Sequence, residues 1–126
     1  MSENYDSNNI FAKIIRDEIP SQRVYEDDKI LAFHDITKAA PVHVLVIPKG
    51  PFASFGDFVS AAGGDEVSNF FKKAKEIAES LGLKDSGYRL IINNGPDASQ
   101  TVHHFHLHIL GGKSLGGLIS GDTKIR

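Results

Sequence analysis

Cysteine is absent from the 126 residues, which excludes disulfides, thiolate metal ligands and thiol nucleophiles. Such a chain suits a reducing compartment. An excess of basic residues is also missing: 14 Lys and Arg stand against 16 Asp and Glu, for a formal net charge of −2. Binding along a nucleic-acid backbone, which neutralises many phosphates at once, is therefore not expected. Any phosphate recognised here belongs to a small molecule held by local groups. No apolar run approaches the roughly 18 residues of a membrane span. Residues 1–9 are polar and lack the charged-then-apolar layout of a secretory signal. They read as a flexible tail, and the chain as a soluble cytoplasmic protein with no membrane partner. There is no internal repeat and no low-complexity tract. The length fits one compact domain able to bury its own core, and 40% apolar with 24% charged residues is ordinary globular composition.

What is present is a mixed set of elements. Apolar residues at 10, 11, 14, 15 and 19 predict a short N-terminal helix stopped by Pro20. Residues 24–26 and 29–34 predict two short strands around Asp27-Asp28. Residues 43–47 are apolar and mostly β-branched between Pro41 and Pro48, as in a strand buried on both faces. Phe52, Phe55, Phe58 and Val59 mark a short amphipathic segment. Val67, Phe70, Phe71, Ala74, Ile77, Ala78 and Leu81 then form one apolar stripe of a long helix, with Asp65 as its N-cap and Gly82 as its end. Further strands are predicted over 88–93 and 102–110, separated by the turn chemistry of Asn94-Gly95-Pro96-Asp97. The sum is an α+β domain built on an antiparallel sheet.

Four of the six histidines fall between 103 and 108. On a strand, alternate side chains share a face at a spacing of roughly 6.5 Å. His104, His106 and His108 would share one face, and Phe105, Leu107 and Ile109 the other. The apolar set should face the core and the histidines a cleft, with His103 outside the group. Close imidazoles resist joint protonation, so at least one should remain neutral near pH 7. A neutral imidazole attacking phosphorus needs its far nitrogen protonated and held, and donors around the phosphate oxygens. The central His106 best meets that description, with His104 and His108 as orienting and oxygen-binding partners. A metal is the competing chemistry: two histidines at i and i+2 can bind zinc when a third ligand such as His43 arrives from elsewhere. Against it, the chain has no cysteine and no carboxylate is evident beside the run, so neither metal nor cofactor is expected.

The string from Gln100 through His104-Phe105-His106-Leu107-His108 to Gly112 resembles the motif of the histidine triad (HIT) superfamily. Ile10-Phe11-Ala12-Lys13-Ile14-Ile15, Glu18-Ile19-Pro20, Leu31-Ala32-Phe33-His34-Asp35-Ile36 and Ala40-Pro41-Val42-His43 through Pro48-Lys49 are similar to its other blocks. Their order and spacing are those of the Hint-like nucleotide-binding branch. The resemblance covers about residues 10–113, leaving 1–9 as the tail and 114–126 as a C-terminal extension. It implies a HIT-like fold of about five antiparallel strands with one long and one short helix, in a homodimer whose sheet continues between subunits. It implies a purine nucleoside phosphoramidase or nucleotidyl hydrolase that works through a covalent nucleotidyl-His106 intermediate. His104, His108 and His43 would complete the catalytic set, Asp35 would hold the ribose hydroxyls, and Asn93, Ser99 and Thr101 would line the phosphate site. The alternatives are a non-catalytic nucleotide- or protein-binding module and a zinc protein. Two departures from the branch stand out: Ser99 occupies a common Gly position, and the extension lacks the Trp-Pro-Pro-Gly-like ending of many relatives.

Overall fold

A computed structural model describes residues 5–118. Five antiparallel strands form one sheet: β1 (Arg23–Glu26), β2 (Ile30–His34), β3 (Val42–Pro48), β4 (Arg89–Ile91) and β5 (Leu107–Gly111), in the spatial order β1-β2-β3-β5-β4. Helices α1 (Ile10–Ile15), α2 (Phe55–Ala61) and α3 (Gly64–Ser80) and a 3₁₀ turn (Pro96–Ala98) complete the described elements. The architecture is the expected α+β fold.

The alternation of the central strands builds two cores. Ile30, Ala32, Val44, Val46, Leu107 and Ile109 pack towards α2 and α3, where they meet Phe58 of α2 and Phe70, Ala74 and Ile77 of α3. Leu31, Phe33, Leu45 and Ile47 point to the other face and meet Phe11 and Ile14 of α1. Strand β3 is thus buried on both sides, as its unbroken apolar run predicts. This second face carries the site, because β3 and β5 pair in a register that sets Leu45 opposite His108 and His43 opposite Leu110.

Several boundaries differ from the sequence reading. Helix α1 stops at Ile15 rather than reaching Ile19, since Asp17 takes a left-handed backbone (φ 63°) that no helix continues. Asp65 does not cap α3; it lies in the first turn behind an N-cap at Gly63, where its charge still favours the helix dipole. Strand β4 is shorter than 88–93. The largest difference is β5, which begins at Leu107 rather than Val102. Val46 pairs with Leu107, so the residue opposite Phe105 in this register is Pro48. Proline has no N–H for the ladder, and the Pro48 carbonyl instead accepts a bond from the His104 ring (2.7 Å). The Phe105 N–H leaves the ladder for the Phe52 carbonyl (2.7 Å).

Candidate active site

The end of β3, the start of β5 and the loop before it converge on α1. His106 packs edge-on against Phe11 (centroids 4.9 Å apart) and lies 5.2 Å from the His108 ring. Its Nδ1 donates to the carbonyl of His104 at 2.7 Å. A carbonyl only accepts, so the proton is assigned to Nδ1, and Nε2 keeps its lone pair.

A second chain of bonds assigns His108. The Ala39 N–H donates to His43 Nδ1 (3.1 Å), which leaves the His43 proton on Nε2. That Nε2–H donates to His108 Nδ1 at 2.9 Å. His108 therefore carries its own proton on Nε2. Asp35 stands beside this pair, with one carboxylate oxygen 3.4 Å from His43 Nε2 and the other accepting the Thr37 N–H at 2.8 Å. The carboxylate that is not evident near the histidine run in the sequence is thus supplied by the end of β2.

All four histidines are pushed towards the neutral form. Burial lowers His104 to about 4, despite the opposing pull of the Pro48 carbonyl. Burial followed by repulsion from His106 and His43 lowers His108 to about 4. His106 and His43 are lowered as well, chiefly by burial, with Asp35 acting against it in both.

His106, His108, Asp35 and Thr101 line a cleft of about 390 Å³ whose walls are mainly apolar, including Phe11 and Phe33. That is an ordinary size for a small-molecule site. His104 does not share it. Its ring is fully buried, with Nε2 on the Pro48 carbonyl and Nδ1 on the Tyr5 hydroxyl (2.6 Å). Of the three histidines expected to face a cleft, His106 and His108 do and His104 does not, although its ring also lies on the α1 side, 6.4 Å from Phe11; residues 104–106 precede β5 rather than extend it. Asn93 is half-buried at the exit of β4, and Ser99 is exposed in the loop after the 3₁₀ turn. Ser99 has φ 60°, a left-handed backbone that favours glycine. His103 is exposed and outside the group. His34 lines the cleft next to Asp35.

Sequence reasoning also missed Gln100. This buried amide donates to the carbonyls of Ala53 (2.9 Å) and Val102 (3.0 Å) and accepts from the Gly95 N–H (2.9 Å). It fixes the loop that carries Ser99 and Thr101. Nothing in its sequence surroundings marks it out, since the partners are backbone groups distant in the chain. Asp35, His43 and His108 also present ligand atoms within 4.8 Å of one another, a donor set suited to a divalent ion. In the structure those nitrogens are already joined by the His43–His108 hydrogen bond.

A sheet face bearing a fixed pair of neutral histidines, a carboxylate and an apolar cleft defines a histidine-triad class of protein. The comparisons carry this to a family: the HIT domain profile matches residues 16–115, and the chain belongs to that family. An uncharacterised HIT-like protein of Rickettsia prowazekii (strain Madrid E) is 50% identical over 118 residues, covering 94% of this chain and 98% of that one. A purine nucleoside phosphoramidase of Escherichia coli (strain K12) is 44% identical over 111 residues, covering 88% of this chain and 92% of that one. Among solved structures, a HIT family hydrolase from Legionella pneumophila Philadelphia 1 superposes with a TM-score of 0.81 at 42% identity, covering 86% and 96% of the two chains.

Proposed function

We propose that this protein hydrolyses purine nucleoside 5′-monophosphate conjugates, with phosphoramidates as the substrate class and His106 as the nucleophile. The observation that carries the reading is the His106 Nδ1 bond to the His104 carbonyl, which leaves a neutral ring with its Nε2 lone pair free in the cleft. The E. coli phosphoramidase among the relatives supports the substrate class.

In this reading the base lies in the apolar cleft between Phe11, Ile14, Phe33 and Leu45. Asp35 accepts from the ribose hydroxyls, a geometry a carboxylate suits well. Asn93, Ser99, Thr101 and the His108 Nε2–H surround the phosphate oxygens. His106 Nε2 attacks phosphorus, the N–P bond forms and the bond to the leaving amine breaks. The departing amine takes its proton from solvent, while the His108 Nε2–H keeps its own and donates a hydrogen bond to the phosphate. Water then cleaves the nucleotidyl-histidine bond and yields its proton to solvent, so nucleotide is released and the site returns to its starting state. The positive charge on the substituted His106 ring is steadied by the His104 carbonyl. Described helices offer no membrane-crossing segment. The same reading makes the protein a cytoplasmic homodimer joined at β4, an edge strand whose Leu90 is 45% exposed.

The test is AMP release from adenosine 5′-phosphoramidate, with His106→Asn and a chelator as separate arms. Activity should fall roughly a thousandfold or more in the variant, as when the nucleophile of a catalytic unit is removed. Full activity in His106→Asn would overturn the assignment, and chelator sensitivity would favour a metal at Asp35, His43 and His108.

A further inference from the structure

We infer that Tyr5 is a positioning residue for His106, acting through His104. The inference rests on the reading of His106 as nucleophile but concerns a residue that lies before the segment matched by the HIT domain profile.

The geometry runs outward from the nucleophile. His106 is held by the main-chain carbonyl of His104. The position of that carbonyl depends on residue 104, which is outside the sheet ladder and so lacks the usual strand restraint. Its restraints are the neighbouring Phe105 N–H bond to the Phe52 carbonyl and its own side chain. His104 Nε2 donates to the Pro48 carbonyl at 2.7 Å, which ties residue 104 to the end of β3. The same bond places the ring proton on Nε2 and leaves Nδ1 as an acceptor in a fully buried ring. The donor that satisfies it is the Tyr5 hydroxyl at 2.6 Å, with the two rings edge-on at 5.7 Å. Without that hydroxyl, the opposite tautomer or a flipped ring competes, and either one breaks the Pro48 bond.

Tyr5 is in turn anchored by its neighbours. Asn9 caps α1 by accepting the Ala12 N–H and also bonds the Asp6 carbonyl, and Arg16 donates to the Ser7 carbonyl. The segment 5–9 is therefore built onto the domain at the point where it meets His104. Tyr5 makes no contact with the substrate cleft, so its effect falls on the reacting geometry rather than on binding.

Tyr5→Phe keeps the ring and removes only the donor. We expect kcat for adenosine 5′-phosphoramidate to fall about tenfold, the scale of one unsatisfied buried acceptor, with KM unchanged. Nitrogen-15 shifts of the imidazoles supply the readout independent of turnover. In the wild type His104 should show protonated Nε2 with bare Nδ1, and His106 the reverse. In Tyr5→Phe the His104 pattern should become mixed. Tyr5→Gln, which retains a donor at a different reach, should recover part of the rate if donation is what matters. Unchanged His104 shifts and unchanged kcat in Tyr5→Phe, alongside an inactive His106→Asn, would overturn this inference alone. An active His106→Asn would overturn the assigned nucleophile instead, and the nitrogen shifts would still decide whether Tyr5 sets the His104 tautomer.

Discussion

His104 should make the fold sensitive to mild acid, and the size of the effect follows from its burial. Its folded value is about 4, against an ordinary 6.5 that applies to the unfolded chain. Because the folded value is the lower one, the neutral buried ring contributes stability that is complete above pH 6.5 and is lost as pH falls towards 4. Each unit of difference corresponds to about 1.4 kcal/mol. Between pH 7 and pH 5 the unfolded chain takes the proton and the folded chain does not. Roughly 2 kcal/mol is lost over that interval, rising to about 3 kcal/mol near pH 4. The interval avoids the ion-paired carboxylates: Glu18, Glu26 and Glu79 lie below their ordinary 4.5 and withdraw support only in stronger acid. The other buried histidines contribute in the same direction, so the test is a difference of differences. His104→Gln offers an amide N–H to the Pro48 carbonyl and an amide oxygen to the Tyr5 hydroxyl, with no titration. Urea unfolding of both proteins at pH 7 and pH 5 should show the wild type losing about 2 kcal/mol more than the variant. Equal losses would refute the buried, neutral assignment of His104, whatever the variant's stability at pH 7.

Other consequences can be measured separately. Asp35→Ala should weaken AMP binding roughly tenfold to a hundredfold, the scale of hydrogen bonds to a charged group. Calorimetry that finds the affinity unchanged would remove Asp35 from the ribose. Ser99→Gly should stabilise the protein by about 1 kcal/mol, because the left-handed backbone at 99 strains any side chain, and thermal unfolding should report it. Since burial holds His106 below its ordinary value, the acid limb of the pH–rate profile should have its midpoint below 6.5. A midpoint at or above 6.5 in the pH–rate profile would contradict it. Leu90→Glu on the edge strand should yield monomers in sedimentation if β4 joins two subunits.

Much of the fold was legible because its signals are local. The two-sided burial of β3 follows from an unbroken apolar run between prolines, and α3 from one stripe at helical spacing. The parity of Leu107, His108 and Ile109 came out as alternation requires, with His108 facing α1 and its neighbours facing α3. The same parity continues back to His106 in the cleft and Phe105 in the core, but the strand itself begins only at Leu107 and His104 stays out of the cleft. Where a strand starts depends on what lies opposite, which residues 102–106 do not reveal. Pro48, more than fifty positions away, is the residue that ends the ladder. Tyr5 and Gln100 were illegible for a related reason. One is a tyrosine in a polar tail and the other a glutamine in a loop, and each gains its role from a partner that only the folded chain brings near.

The neutrality of the site also has a different origin from the one the histidine run implies. Crowding alone predicts imidazoles that repel one another's charge, leaving at least one of them neutral. In the structure burial is the largest cause for every one of the four, and mutual repulsion adds to it at His104 and His108. The distinction matters for the chemistry. Repulsion would vanish for the last ring once its neighbours were neutral, and would leave that ring free to protonate near its ordinary value. Desolvation acts on each ring alone and keeps all four neutral together. The hydrogen bonds can then fix a tautomer at each: a bare Nε2 on His106 and a protonated Nε2 on His108, a lone pair and a donor on adjacent rings, set by carbonyls and one backbone amide. What converts a cluster of histidines into a nucleophile with a hydrogen-bond donor beside it is therefore the dry, bonded interior beneath the cleft, which Phe11, Pro48 and Tyr5 help to build.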